Sequence, residues 1–262
     1  MGGLLTISTP LQALLATIFT WSVTALGAAV VMMTRRMRQT AMDAMLGFGA
    51  GVMLASSFWS LLEPGIALAD ELGQICWLMA GLGLMAGSAL LLVGDALLTR
   101  ILPEDCSNSR KRTCLLMASI TLHNIPEGLA IGVAFGALAG EISEAALTSA
   151  WMLALGIALQ NFPEGTAVSL PLRREGMSRR RAFWYGQLSG IVEPIAGVLG
   201  ALLAVKARAV LPFMLTFAAG AMIAVVVGEL VPESQRNPRK SLMTFATLLG
   251  FMVMMVLDVG LS

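Results

Sequence analysis

The chain has 262 residues, 57% of them hydrophobic and 13% charged. That balance excludes an ordinary water-soluble domain and fits a polytopic helical membrane protein. The net charge of +1 gives no case for nucleic-acid binding, so the charges are informative through their placement.

Eight apolar segments are predicted to cross the bilayer as helices, at 11–33, 43–62, 75–97, 113–138, 146–170, 183–205, 212–231 and 241–260. Each is near the ~20 residues that span the hydrocarbon core. The first lacks a basic leading region and a convincing cleavage site, so it reads as a span and not a signal peptide. Arg35, Arg36 and Arg38 follow it. Arg100, Arg110, Lys111 and Arg112 lie between spans 3 and 4. Arg173, Arg174, Arg179, Arg180 and Arg181 lie between 5 and 6, and Arg236, Arg239 and Lys240 between 7 and 8. Only Lys206 and Arg208 fall on the other side, with Glu63, Asp70, Glu71, Glu141 and Glu144. The positive-inside rule then puts the basic loops in the cytoplasm and both termini outside. Cys76, Cys106 and Cys114 are odd in number and form no CxxC, so they offer neither a disulfide framework nor a zinc-finger spacing.

Span 2 resembles span 7. Gly51-Val52-Met53-Leu54-Ala55 matches Gly220-Ala221-Met222-Ile223-Ala224 at an offset of 169, which also pairs Ser60 with Glu229. Asp95 near the end of span 3 resembles Asp258 near the end of span 8. The two members of each pair run in opposite directions. The expected fold is therefore an all-α polytopic membrane protein with inverted repeats, three spans, two and three, around an axis in the membrane plane.

Spans 4 and 5 carry the strongest signal. His123-Asn124-Ile125-Pro126-Glu127-Gly128 and Gln160-Asn161-Phe162-Pro163-Glu164-Gly165 are near-repeats inside apolar sequence. His123 and Glu127 are four residues apart and share one helix face, as do Gln160 and Glu164. Pro126 and Pro163 are expected to crowd the carbonyls of Leu122 and Leu159 and to kink or break their helices. Glu193, followed by Pro194, adds a carboxylate in span 6. An Asp, Lys or Arg at mid-helix costs about 2.5–3.5 kcal/mol on insertion scales, and Glu is comparable. Three such residues need compensation. A divalent cation supplies it, because imidazole, amide oxygens and carboxylates suit first-row divalent metals and Met53 adds a thioether. Against this stands the plainer reading of buried glutamates as interhelical hydrogen-bond glue and of Met53 as core filler. Glycines at 128, 132, 136 and 140, at 186 and 190, and at 47 and 51 recur every four residues, which lets helices approach closely.

His-Asn-x-Pro-Glu-Gly on the fourth of eight spans, with x-Asn-x-Pro-Glu-Gly on the fifth, resembles the ZIP (Zrt/Irt-like) family of divalent-metal transporters. The short loop between spans 3 and 4 resembles the compact bacterial branch. The resemblance covers the whole chain and implies one transmembrane transporter domain over residues 1–262. It implies a first metal site from Met53, His123, Glu127, Gln160 and Glu164. It also implies an adjacent one from Asn124, Glu127, Asn161, Glu164 and Glu193. Gln160 stands where many members have His, and Asn161 where two-metal relatives have Asp, which weakens the second site. Ser60 and Asp258 read as an entry pair near the outer side, and Asp95 with Glu229 as an exit pair near the inner side.

The expected function is uptake of a divalent transition metal, Zn²⁺ first and Cd²⁺, Fe²⁺ or Mn²⁺ after it, from outside to cytoplasm by alternating access. The expected location is the bacterial inner (plasma) membrane. The expected partners are the metal ion as substrate and the lipid bilayer, with a homodimer left open. An alternative is a proton-coupled transporter of another solute, in which the glutamates relay protons. An intramembrane metalloenzyme is disfavoured because the order is His-x-x-x-Glu, without HExxH or a second histidine.

Overall fold

The computed structural model of the protein describes residues 8–33, 38–101, 108–139, 143–174, 176–206 and 208–261. Arg35, Arg36, Cys106 and Glu141 lie outside the described residues, as do the side chains of Asp95, Arg110, Lys111, Arg112, Cys114, His123, Arg174 and Arg208. The first half comprises α1 (Thr9–Met33), α2 (Gln39–Ser56), a π-helical segment (Ser57–Leu62), α3 (Glu63–Glu71), α4 (Cys76–Ile101) and α5 (Asn108–Ala137). The second comprises α6 (Glu144–Arg174), α7 (Arg179–Leu188), α8 (Val192–Lys206), a 3₁₀ turn (Arg208–Val210), α9 (Leu211–Val225), a second π-helical segment (Val226–Leu230), α10 (Val231–Gln235) and α11 (Lys240–Leu261). No strand occurs among the described residues. Helices satisfy their backbone hydrogen bonds internally, which an apolar chain in lipid requires. Among the described residues seven helical stretches are long and apolar enough to cross a membrane. The fourth expected span falls within α5, which is 30 residues long.

The second and seventh spans run past their expected ends, to Glu71 and Gln235. Pro64 and Pro232 are the second residues of α3 and α10, just past the π-helical segments, inside helical stretches that run on through them. Each helix therefore resumes after its π-helical segment instead of stopping. Pro126 and Pro163 do not break their helices, since α5 and α6 continue through both. The interruption falls in the sixth span, at the turn Ser189–Ile191 before Pro194. A helical Pro194 would crowd the carbonyl of Gly190, and the chain leaves helix there; Gly190 O instead accepts from Glu193 N at 3.0 Å. At the ends of α3 and α6 Gly73 (φ 67°) and Gly176 (φ 94°) take the left-handed conformation that closes a helix.

Four helix pairs form the packing frame. Gly27 and Gly165 join α1 to α6, Gly128 and Gly132 join α5 to α8, Gly87 and Gly220 join α4 to α9, and Gly51 and Gly250 join α2 to α11. A Cβ at any of these would overlap a carbonyl oxygen of the facing helix. Each pair runs parallel. In α5 and α8 the register is constant: Asn124 meets Ser189, Gly128 meets Glu193, Gly132 meets Gly197 and Gly136 meets Ala201. Helices α1, α5, α6, α7 and α8 pack mainly on one another, as do α2, α3, α4, α9, α10 and α11. Contacts of α2 with α6 and of α5 with α9 join the two groups.

The connections gather at two ends. Arg179 Nη1 donates to Met32 O at 2.9 Å and Asn237 Nδ2 to Asp43 Oδ2 at 2.7 Å, which brings the α1–α2, α6–α7 and α10–α11 connections to one end. At the other, Gln74 Nε2 donates to Ala209 O at 2.8 Å.

Gly132→Ala is expected to lower the melting temperature of the purified protein in detergent, because overpacking costs about 1–3 kcal/mol. Gly81→Ala, where nothing lies within 4 Å of the added methyl, is expected to leave it unchanged or raise it, since alanine favours a helix over glycine by about 1 kcal/mol. Equal melting temperatures for the two variants would contradict the packing frame.

Candidate metal centre

Helices α5, α6 and α8 bring Glu127, Glu164 and Glu193 into one buried region. Glu127 and Glu193 are fully buried and Glu164 is 6% exposed. Glu164 is close enough to both of the others for its charge to act on them, and Glu193 acts likewise on Glu127. Like charges so placed in a weakly screening interior oppose one another strongly.

The donors that meet these carboxylates are neutral. Gln160 Nε2 donates to Glu127 Oε1 at 2.5 Å, joining the two motif helices directly. Asn161 Nδ2 donates to both oxygens of Glu193 at 3.0 Å. Thr20 Oγ1, from α1, donates to Glu193 Oε2 at 2.5 Å. Asn124 turns its amide to the broken sixth span, donating Nδ2 to Ser189 O at 2.8 Å. Trp21 Nε1 donates to Gln187 O at 2.8 Å. The carbonyls released by the break are thus met by donors from neighbouring helices, as membrane depth demands.

With the amide nitrogens engaged, acceptor oxygens are left over. Asn124 Oδ1, Glu127 Oε2, Gln160 Oε1 and Asn161 Oδ1 are buried and have no hydrogen-bond partner among the described residues. Buried polar atoms are normally satisfied, and an acceptor-only set calls for a cation or a proton. The residues therefore suit a divalent ion chemically. The ligating set is not closed, however. Among the described residues no three His, Cys, Asp or Glu side chains gather closely enough to hold an ion. The His123 ring lies outside the described residues.

Met53 is fully buried on α2, its carbonyl accepting from Ser56 Oγ at 3.2 Å and Ser57 Oγ at 2.7 Å. One turn earlier, Gly49 faces Gln160, so α2 reaches the centre beside α6. Ser60 Oγ donates to Asp258 Oδ1 at 2.7 Å, so the structure joins the two residues of the expected entry pair. Ser60 also lines a cavity of about 160 Å³ with Ala134, Ser149 and Leu215. Glu229 is half-buried in the second π-helical segment. The Asp95 side chain, its expected companion, lies outside the described residues. The two π-helical segments start 169 residues apart, at Ser57 and Val226, the same offset as the sequence match.

Sequence reasoning missed the part played by α1. Thr17, Thr20 and Thr24, all buried, recur on one face of an otherwise apolar helix, and that spacing was the available signal. It also missed Asp43, buried and held by Gln39 Nε2 and Asn237 Nδ2, each at 2.7 Å.

Carboxylates and acceptor oxygens converging from neighbouring helices in an apolar bundle define an ion-handling membrane protein. Residues 103–258 match the family model described as ZIP Zinc transporter. The chain is 38% identical to Zinc transporter ZIP11 of Homo sapiens over 97% of its length and 98% of that protein's. It is 33% identical to Zinc transporter GufA of Myxococcus xanthus, with 95% and 98% covered. To Zinc transporter ZIPB of Bordetella bronchiseptica it is 37% identical, with 92% and 79% covered. The chain belongs to the ZIP family.

Proposed function

We propose that this chain moves a divalent transition metal, with Zn²⁺ preferred over Cd²⁺, Fe²⁺ and Mn²⁺, into the cytoplasm by alternating access across the bacterial inner membrane. The observation that carries the reading is the pairing of Glu127 with Gln160 across α5 and α6, surrounded by buried acceptor oxygens. The names of the relatives, all zinc transporters, support the choice of metal. They weigh against a relay of protons for some other solute.

Residues 1–262 act as a single transporter domain of eight spans, α5 being the fourth, with both termini outside. The inverted three–two–three repeat is supported by the helix pairs. Exchanging span 1 with 6, 2 with 7, 3 with 8 and 4 with 5 turns the α1–α6 pair into α8–α5 and the α2–α11 pair into α9–α4. The transported ion binds Met53, His123, Glu127, Gln160 and Glu164. An adjacent position is formed by Asn124, Glu127, Asn161, Glu164 and Glu193. Entry is past Ser60 and Asp258, and exit past Asp95 and Glu229.

Cysteines introduced at positions 38 and 177 are expected to react with a membrane-impermeant thiol reagent only from the cytoplasmic side, and one at 143 only from outside. Reaction of position 177 from outside would reverse the orientation and exchange entry with exit.

His123→Ala, Glu127→Ala and Glu164→Ala are each expected to abolish ⁶⁵Zn uptake while the protein still reaches the membrane. Near wild-type uptake by Glu127→Ala would refute the assignment of the centre.

Two divalent ions would bring +4 against the −3 of the three glutamates, in a medium that screens their repulsion weakly. One tightly bound Zn²⁺ per purified chain is therefore expected, and Asn161→Asp should raise the count toward two. Two tight ions in the unaltered protein would show that the neutral Asn161 suffices.

A further inference from the structure

Glu193 receives more side-chain donors than Glu127 does. It is fully buried in the first turn of α8, where the helix dipole favours a negative charge. Thr20 Oγ1 reaches Oε2 and Asn161 Nδ2 reaches both oxygens. The same Asn161 nitrogen lies 3.3 Å from Thr20 O, so that α1 and α6 meet at the carboxylate of α8. Space is tight. A Cβ at Gly190 would come within 3.1 Å of Glu193 Oε1, 3.0 Å of the Trp21 ring and 3.2 Å of Thr24 Oγ1. Three donor contacts on its two oxygens leave Glu193 fewer lone pairs, and less freedom to turn, for coordinating an ion. Glu127 differs, because Gln160 engages only one of its oxygens and the other has no hydrogen-bond partner among the described residues.

We propose that Thr20 is a positioning residue for transport: with Asn161, it restrains Glu193 from the cation held by Glu127 and Glu164. The carried ion then faces two carboxylates, not three, and leaves the centre faster. This inference rests on the proposed metal centre and adds to it a residue of the first span that does not touch the ion.

The test is zinc uptake by membrane vesicles containing wild type, Thr20→Val, Thr20→Ser and Thr20→Val combined with Glu193→Gln. Valine matches threonine in shape and removes the hydroxyl. Thr20→Val is expected to lower KM for Zn²⁺ and the maximal rate together, each by about tenfold, the equivalent of one hydrogen bond to a charged group. Thr20→Ser restores the donor and is expected to restore both constants. In the double variant the released carboxylate is gone, so KM is expected to rise back. A merely structural role for Thr20 would lower the maximal rate with KM unchanged and would show no dependence on Glu193; that result overturns the proposal. An unchanged or raised KM in Thr20→Val overturns it too. Should Thr20→Val fail to reach the membrane, Thr20→Cys, similar in size and a weak donor, carries the same expectation. Glu127→Ala, run in parallel, separates the two levels. If it transports, the metal centre itself is wrong; if it is silent while Thr20→Val matches wild type, only the role of Thr20 fails.

Discussion

Three carboxylates enclosed in an apolar helical bundle are the constraint on which the rest of this structure depends. Nothing in the lipid or in the aliphatic core can solvate them, and leaving a charge uncompensated there is costly. The described protein meets the demand in part, with the neutral donors Gln160, Asn161 and Thr20. What remains is a surplus of acceptor oxygens, and the surplus is what makes the region fit for a cation. A complete set of internal donors would have made an inert polar core.

The helices must come close for side chains as short as threonine and asparagine to reach one another. Gly128 and Gly132 let α5 lie directly on the backbone of α8, and Gly27 with Gly165 does the same for α1 and α6. These two pairs bring Thr20, Asn161 and Glu193 within hydrogen-bond distance. Close backbone contact also permits Cα–H···O interactions, each worth about 0.5–1 kcal/mol. Packing and chemistry are therefore one design. The small residues support the frame, and through it the distances on which ligation depends.

Much of the centre was legible in the sequence because polar residues stand out against apolar neighbours. Glu127 and Glu164 recur in matching contexts, and Ser60 and Asp258, picked out at 198 residues' separation, are joined in the structure by a hydrogen bond. The break in the sixth span was half legible: Pro194 marked it, but Pro126 and Pro163 carried the same mark and sit inside continuous helices. A proline removes one hydrogen bond wherever it falls, and only the surrounding packing decides whether the helix survives. Thr20 was legible only as one of three threonines at helical spacing on α1. Threonine is unremarkable in a membrane helix, and its partner Glu193 is 173 residues away. Each π-helical segment ends two residues before a proline, Pro64 or Pro232, a mark that by itself does not distinguish a π-helical turn from an ordinary helix boundary.

The constant register between α5 and α8 bears on how the chain can vary in length. Asn124, Gly128, Gly132 and Gly136 each meet the residue 65 positions further on. One residue added or lost between Asn124 and Gly136 would turn everything beyond it by about 100° around the helix axis. Side chains would then face α8 where glycines now do, and the helices would be driven apart. A change of length inside this stretch is therefore expected to cost the α5–α8 pairing, which a change in a connection between spans would leave in place. In this stretch of the protein the number of residues constrains the packing as much as their chemistry does.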